Sequence, residues 1–172
     1  MTLAFIGIGA NLGDAKQAVK DAIVCLAQQV GIRIVARSSL YRSAPVDAGG
    51  DDYYNAVVKL ETSFTAAQLL VICHHIEDQF GRERPFRNAP RTLDLDLLVF
   101  GDEMHDGAQL TVPHPRVAAR AFTLVPLLEL EPDLVIPGLG RAADHLPAVA
   151  GQRIDKVSFC QCTRQAESLR SS

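Results

Sequence analysis

Tyr53-Tyr54-Asn55-Ala56-Val57-Val58-Lys59-Leu60-Glu61-Thr62 is the stretch on which the fold turns. In a strand, successive side chains point to opposite faces. Tyr54, Ala56, Val58 and Leu60 then make one apolar face, and Tyr53, Asn55, Val57, Lys59 and Glu61 make the other. A helix start follows at once. Thr65 and Gln68 form a T-x-x-Q capping box, and Phe64 and Leu69 can staple across it. Leu69, Ile72, Cys73, Ile76 and Phe80 recur at helical spacing and Gly81 ends the run, which predicts a strand followed directly by an amphipathic helix.

Upstream, Leu3 to Ile8 reads as a strand, and Gly7-x-Gly9-Ala10-Asn11-Leu12-Gly13-Asp14 as a tight exit turn. These glycines lack the lysine of a phosphate-binding loop and the spacing of a dinucleotide fingerprint, so the reading is structural. Asp14 can cap a helix over 15–29 that Gly31 terminates, and Ile32 to Tyr41 is strand-like. Residues 43–52 form a turn-rich loop. Downstream come a loop over 82–91, a strand from Thr92 to Phe100, a turn over 101–107 and a short extended piece at 110–112. Helical character over 117–130 is interrupted by Pro126. Residues 131–159 are rich in proline and glycine, and the end is a polar tail. The order β-α-β-β-α-β predicts an α+β, ferredoxin-like fold, a four-stranded antiparallel sheet with helices on one face and a short C-terminal extension. The expected division is one domain over 1–160 and a tail over 161–172.

Composition narrows the function classes. A chain of 172 residues with a 48% hydrophobic fraction can bury a core, and 22% charged residues argue against disorder. The net charge of −3 gives no pull toward nucleic acid or membrane. Cys25 and Cys73 read as core fillers, and Cys160-x-Cys162 has no second pair at zinc spacing. With no basic leader and no apolar run of membrane length, the expectation is a cytoplasmic monomer with small-molecule partners, no nucleic acid and no membrane.

The chemistry concentrates in Arg91-Thr92-Leu93-Asp94-Leu95-Asp96-Leu97-Leu98. Asp94 and Asp96 share a strand face, about 6–7 Å apart, while Leu93, Leu95, Leu97 and Val99 are expected on the opposite, core face. A lone D-x-D reads as a solvated face. Here it follows a loop with four arginines, Arg82, Arg84, Arg87 and Arg91. Guanidinium forks fit phosphate oxygens, and Mg²⁺ takes one or two carboxylates and fills its shell with water and phosphate. Together they make a phosphoryl-transfer constellation. Tyr53 and Asn55 share a face and could meet an amide-like heterocycle edge, on which Phe122 could stack. His74 and Glu77 share a helix face, and His114, held between Pro113 and Pro115, could donate to a phosphate.

These segments resemble the 6-hydroxymethyl-7,8-dihydropterin pyrophosphokinases over about the first 140 residues. The resemblance is carried by Gly9-Ala10-Asn11-Leu12-Gly13-Asp14, Ser38-Ser39-Leu40-Tyr41-Arg42-Ser43-Ala44-Pro45, Tyr53-Tyr54-Asn55-Ala56-Val57, the run from Arg82-x-Arg84 to Leu98, and Val112-Pro113-His114-Pro115-Arg116 with Arg120-x-Phe122. It implies transfer of pyrophosphate from Mg·ATP to the pterin alcohol in folate biosynthesis. The hydroxymethyl oxygen would attack the β-phosphorus, and AMP would leave. By the same resemblance Asp94 and Asp96 would bind two Mg²⁺ ions, and Arg82 and Arg91 would stabilise the transferring group. Arg84, His114 and Arg120 would hold phosphates, with His74, Glu77, Leu97 and Thr111 around the nucleotide. Ser43, Ala44, Val46, Tyr53, Asn55 and Phe122 would line the pterin pocket. The chain departs from the family at Ala10, where Ser is common, at Asn88-Ala89, where Trp-Gly is common, and at Gln109, where some members carry a basic residue.

Two other readings compete. One is a Mg-dependent ATP enzyme with a different acceptor, against which the Tyr53, Asn55 and Phe122 set argues. The other is an RNA-recognition module, which would need sheet aromatics on a basic face rather than Asp94 and Asp96.

Overall fold

The computed structural model describes residues 1–11, 14–43, 53–81 and 93–157. In chain order the elements are β1 (Thr2–Ala10), α1 (Ala15–Ala27), β2 (Ile32–Arg37), β3 (Leu40–Ser43), β4 (Tyr53–Thr62), α2 (Ala66–Gly81) and β5 (Asp94–Phe100). Then come β6 (His105–Asp106), β7 (Thr111–Val112), α3 (Ala121–Leu130), β8 (Val135–Ile136), β9 (Gly140–Arg141), a 3₁₀ turn (Ala142–His145), α4 (Leu146–Val149) and β10 (Ile154–Val157).

The ferredoxin-like plan is present, in a six-stranded antiparallel sheet of order β10-β3-β4-β1-β5, with β2 also paired to β4. Local signals hold where the chain expresses them. Asp14 accepts from the Gln17 amide at 3.3 Å. The Thr65–Gln68 box closes both ways, Gln68 N–H to Thr65 Oγ1 at 3.2 Å and Thr65 N–H to Gln68 Oε1 at 2.9 Å. Leu69, Cys73 and Ile76 of α2 are buried against Ala56, Val58 and Leu60 of β4 and against Leu95 and Leu97 of β5.

Tertiary contacts alter several expectations. The strand expected over 32–41 is two strands. They lie along the two halves of β4, from Ile32 opposite Thr62 to Arg37 opposite Val58, and from Tyr41 opposite Asn55 to Ser43 opposite Tyr53. The break is stapled at Ser38, whose N–H donates to the Val57 carbonyl at 2.8 Å while Val57 N–H donates to Ser38 Oγ at 2.9 Å. Helices cover both faces of the sheet, not one. α1 and α2 pack on one side, whereas Ala121, Leu124 and Leu127 of α3 pack with Phe5, Val57, Leu98 and Val99 on the other. α3 runs through Pro126, whose ring nitrogen lacks only the one N–H owed to the carbonyl of Phe122. Its far end is tied down by Lys59 Nζ to Glu131 Oε2, 2.6 Å. The proline- and glycine-rich stretch folds back as well, and β10 completes the sheet edge beside β3. The tail expected over 161–172 lies outside the described residues.

The glycines of Gly7-x-Gly9 are the clearest correction. They are not in an exit turn but inside β1, hydrogen-bonded between β4 and β5. A second correction is at Val99. The ladder pairs Ile6 with Leu97 and Phe5 with Val99, leaving Leu98 as an extra residue. This bulge reverses the alternation, so Leu98 and Val99 both join the α3 side and Phe100 joins the α1–α2 side.

Candidate active site

The site forms on the α3 side of the sheet, at the ends of three adjacent strands. Gly9 of β1 lies opposite Asn55 of β4 on one side and opposite Asp94 of β5 on the other. Two residues along, Gly7 lies between Val57 and Asp96. Strand spacing puts the Cα atoms of Asn55 and Asp94 about 10 Å apart across a bare glycine. Asp94 and Asp96 share this face, as alternation predicts, while Leu93, Leu95 and Leu97 enter the opposite core.

On the β4 side, Asn55 is 5% exposed, and its Nδ2 donates to Ser43 Oγ at 3.0 Å. Ser43 itself pairs with Tyr53. The three residues therefore form one patch across β3 and β4. Phe122 opens α3, and the Arg120 guanidinium lies 5.3 Å from the centre of its ring, a cation–π stack. Ala44 and Val46 lie outside the described residues.

On the β5 side is a cavity of about 290 Å³. Seven expected residues line it: His74 and Glu77 from α2, Asp94, Asp96 and Leu97 from β5, then Thr111 and His114. Glu77 Oε2 accepts the Leu95 amide at 2.9 Å, so α2 braces the strand that carries the carboxylates. His114 is fixed from two directions. Its backbone N–H donates to the Leu98 carbonyl at 2.8 Å, and its Nδ1 accepts the Arg116 amide at 3.1 Å. The imidazole proton therefore sits on Nε2, which lies 3.9 Å from Asp96 Oδ1. Burial lowers the pKa of His114 below its usual value. Arg120 and Arg116 push the same way, and Asp96 opposes them. The ring is thus a neutral donor near pH 7.

Sequence reasoning did not name Leu70, Leu95, Leu110 or Pro115 as lining residues, and it marked Gln109 only as a position where some family members carry a basic residue contacting ATP. Leu70 was within reach of it, since Leu70, His74 and Glu77 stand four and three apart on one helix face. Arg120 is not among the lining residues. Arg82, Arg84 and Arg91 lie outside the described residues, as do Asn88 and Ala89. Among the described residues no group of three or more His, Cys, Asp or Glu side chains could hold a metal. Two aspartates on one face remain the right donor set for a hard cation that keeps water and phosphate oxygens in its shell.

The buried amide of Asn55, the carboxylate pair at Asp94 and Asp96 and a polar cavity beyond them stand in one line. Comparison with known proteins shows the family. The family model of 7,8-dihydro-6-hydroxymethylpterin-pyrophosphokinase (HPPK) matches residues 5–132. A 2-amino-4-hydroxy-6-hydroxymethyldihydropteridine pyrophosphokinase from Methylorubrum extorquens is 43% identical over 139 residues, covering 80% of this chain and 88% of that protein. The enzyme of that name from Haemophilus influenzae is 38% identical over 159 residues, covering 92% and 99%. A crystal structure of a Plasmodium falciparum HPPK-DHPS triple mutant superposes with a TM-score of 0.68 at 15% identity, over 85% of this chain and 44% of that longer one, a likeness of fold. With the family pattern running through both β4 and β5 and the site residues assembled on them, the chain belongs to the HPPK family.

Proposed function

We propose that this chain transfers the pyrophosphoryl group of ATP to the hydroxymethyl oxygen of 6-hydroxymethyl-7,8-dihydropterin, releasing AMP, in folate biosynthesis. The observation that carries the reading is the row Asn55–Gly9–Asp94, which sets a ring-reading amide one bare strand away from the carboxylates beside the cavity.

In this reading the cavity takes ATP. The neutral His114 donates its Nε2–H to a phosphate oxygen, and His74, Glu77, Leu97 and Thr111 surround the nucleotide. Asn55, Ser43 and Tyr53 take the pterin, with Phe122 as a stacking surface and, by family resemblance, Ala44 and Val46. Asp94 and Asp96 would hold Mg²⁺, two ions by family resemblance, which would neutralise charge on the triphosphate. Arg82, Arg84, Arg91 and Arg120 complete the phosphate contacts. No side chain needs to act as nucleophile. Holding the hydroxymethyl oxygen in line with the β-phosphorus supplies most of the rate, as an oriented pair reacts far faster than a diffusing one. The working unit in this reading is a monomer. A negative net charge and a reaction that consumes ATP favour a cytoplasmic protein without nucleic-acid partners.

The test is AMP release from ATP with and without the pterin, in Mg²⁺ and in EDTA. AMP that requires both pterin and Mg²⁺ is expected. ADP as product would mean γ-phosphoryl transfer and a different reaction.

A further inference from the structure

Glycine inside a strand weakens it, and where it occurs it often marks a close approach by another group. β1 carries two, Gly7 and Gly9, and neither has a positive φ. An L side chain is therefore conformationally admissible at both, and only space separates them. A Cβ on Gly7 would meet the Leu98 side chain, nearest atom Cδ1 at 3.3 Å, the movable end of an aliphatic chain. A Cβ on Gly9 would stand 2.8 Å from Asn55 Oδ1. Asn55 has little room to give. It is 5% exposed, and its Nδ2 is engaged with Ser43 Oγ. Its amide thus spans from Ser43 on β3 to the space above Gly9 on β1, and among the described residues no donor reaches Oδ1.

We infer that Gly9 is the specificity-determining position of the pterin site, acting through Asn55. Its missing side chain lets Oδ1 lie over β1 as an open acceptor for ring N–H groups of an amide-bearing heterocycle. The inference rests on the functional reading above and adds to it a residue that needs no contact with substrate. A larger residue here would turn the Asn55 amide, leaving the nucleotide cavity on the far side of β5 untouched.

The experiment compares Gly9→Ala, Gly7→Ala, Asn55→Ala and Gly9→Ala/Asn55→Ala with wild type. Readouts are the Kd of 6-hydroxymethyl-7,8-dihydropterin in the presence of a non-hydrolysable ATP analogue, the Kd of that analogue alone, steady-state constants and Tm. Gly9→Ala is expected to raise the pterin Kd tenfold or more with nucleotide Kd within twofold, while Gly7→Ala leaves both within twofold. The double variant is expected to bind pterin no worse than Asn55→Ala alone, because the group that Gly9 serves is already gone. Wild-type pterin affinity in Gly9→Ala, or additive losses in the double variant, would overturn the inference while leaving the reaction intact. Should Gly9→Ala fail to fold, the comparison of the double variant with Asn55→Ala decides, since the clash partner is absent from both. A wild-type chain that neither binds the pterin nor releases AMP would instead sink the functional reading, and this inference with it.

Discussion

His114 Nε2 lies 3.9 Å from Asp96 Oδ1, so the histidine of the cavity and one of its carboxylates share a corner. The Arg116 amide on Nδ1 and the Leu98 carbonyl on the backbone hold the ring there. In the proposed reading, a phosphate entering this corner would meet a fixed donor beside the proposed cation site. A hydrogen bond to a charged group contributes about 1.5–3 kcal/mol. His114→Ala should therefore raise the KM for ATP by about tenfold or more, with a smaller effect on the KM for pterin. Equal rises in both constants would place His114 outside the nucleotide site.

Asp94→Asn and Asp96→Asn keep the shape of the side chain and remove its charge. Both positions face the cavity side of β5 rather than a packed core. Turnover should fall by about two orders of magnitude or more, and the far-UV circular dichroism and Tm should stay near wild type. An active double variant would show that this carboxylate pair is not needed for the chemistry.

Arg91 precedes the carboxylate strand in the chain. Arg91→Ala should lower kcat by about 10²-fold with much less effect on the ATP Kd, the pattern of a group that acts mainly in the transition state. Single-turnover rates at saturating substrates, read beside direct nucleotide binding, check it. Matched losses in rate and affinity would make Arg91 a binding residue instead.

Glu129 fastens α3 to β3. Its carboxylate accepts the Ser39 amide at 2.7 Å, the Ser39 hydroxyl at 2.7 Å and the Tyr41 hydroxyl at 2.5 Å. Burial alone would raise its pKa, but these hydrogen bonds, with Lys156 nearby, hold it below the usual carboxylate value. The stabilisation is therefore present above the unfolded-state value and lost as pH falls through the lowered folded-state value. Glu129→Gln should cost about 1 kcal/mol at neutral pH. It should also flatten the loss of stability as pH falls from the ordinary carboxylate value through the lowered folded-state value. Urea unfolding across that range decides the matter, and parallel acid limbs in wild type and variant would remove Glu129 as their cause.

The parts of the fold legible in the chain are those set by neighbours in sequence. The Thr65–Gln68 box and the α2 stripe are local hydrogen bonding and local periodicity, and they appear where expected. Alternation alone puts Asp94 and Asp96 on one face and brings Asn55 to the same side as Tyr53. The candidate site was readable to that extent because strand geometry fixes which side chains can point together.

What the chain did not disclose depends on partners distant in sequence. Gly7 and Gly9 have the local preferences of a turn, and only pairing with β4 on one side and β5 on the other holds them extended. The Leu98 bulge arises in the β1–β5 register, which no window around Leu98 contains. The expected strand over 32–41 divides because Ser38 bonds to Val57. α3 crosses to the second face of the sheet because its apolar residues find Phe5, Val57 and Leu98 there. The sequence by itself determined which groups are candidates for the chemistry and which strand face Asp94 and Asp96 share. Tertiary structure decided that Asn55 and Asp94 are separated by one bare glycine, because only packing three strands side by side brings residues 9, 55 and 94 into a single row.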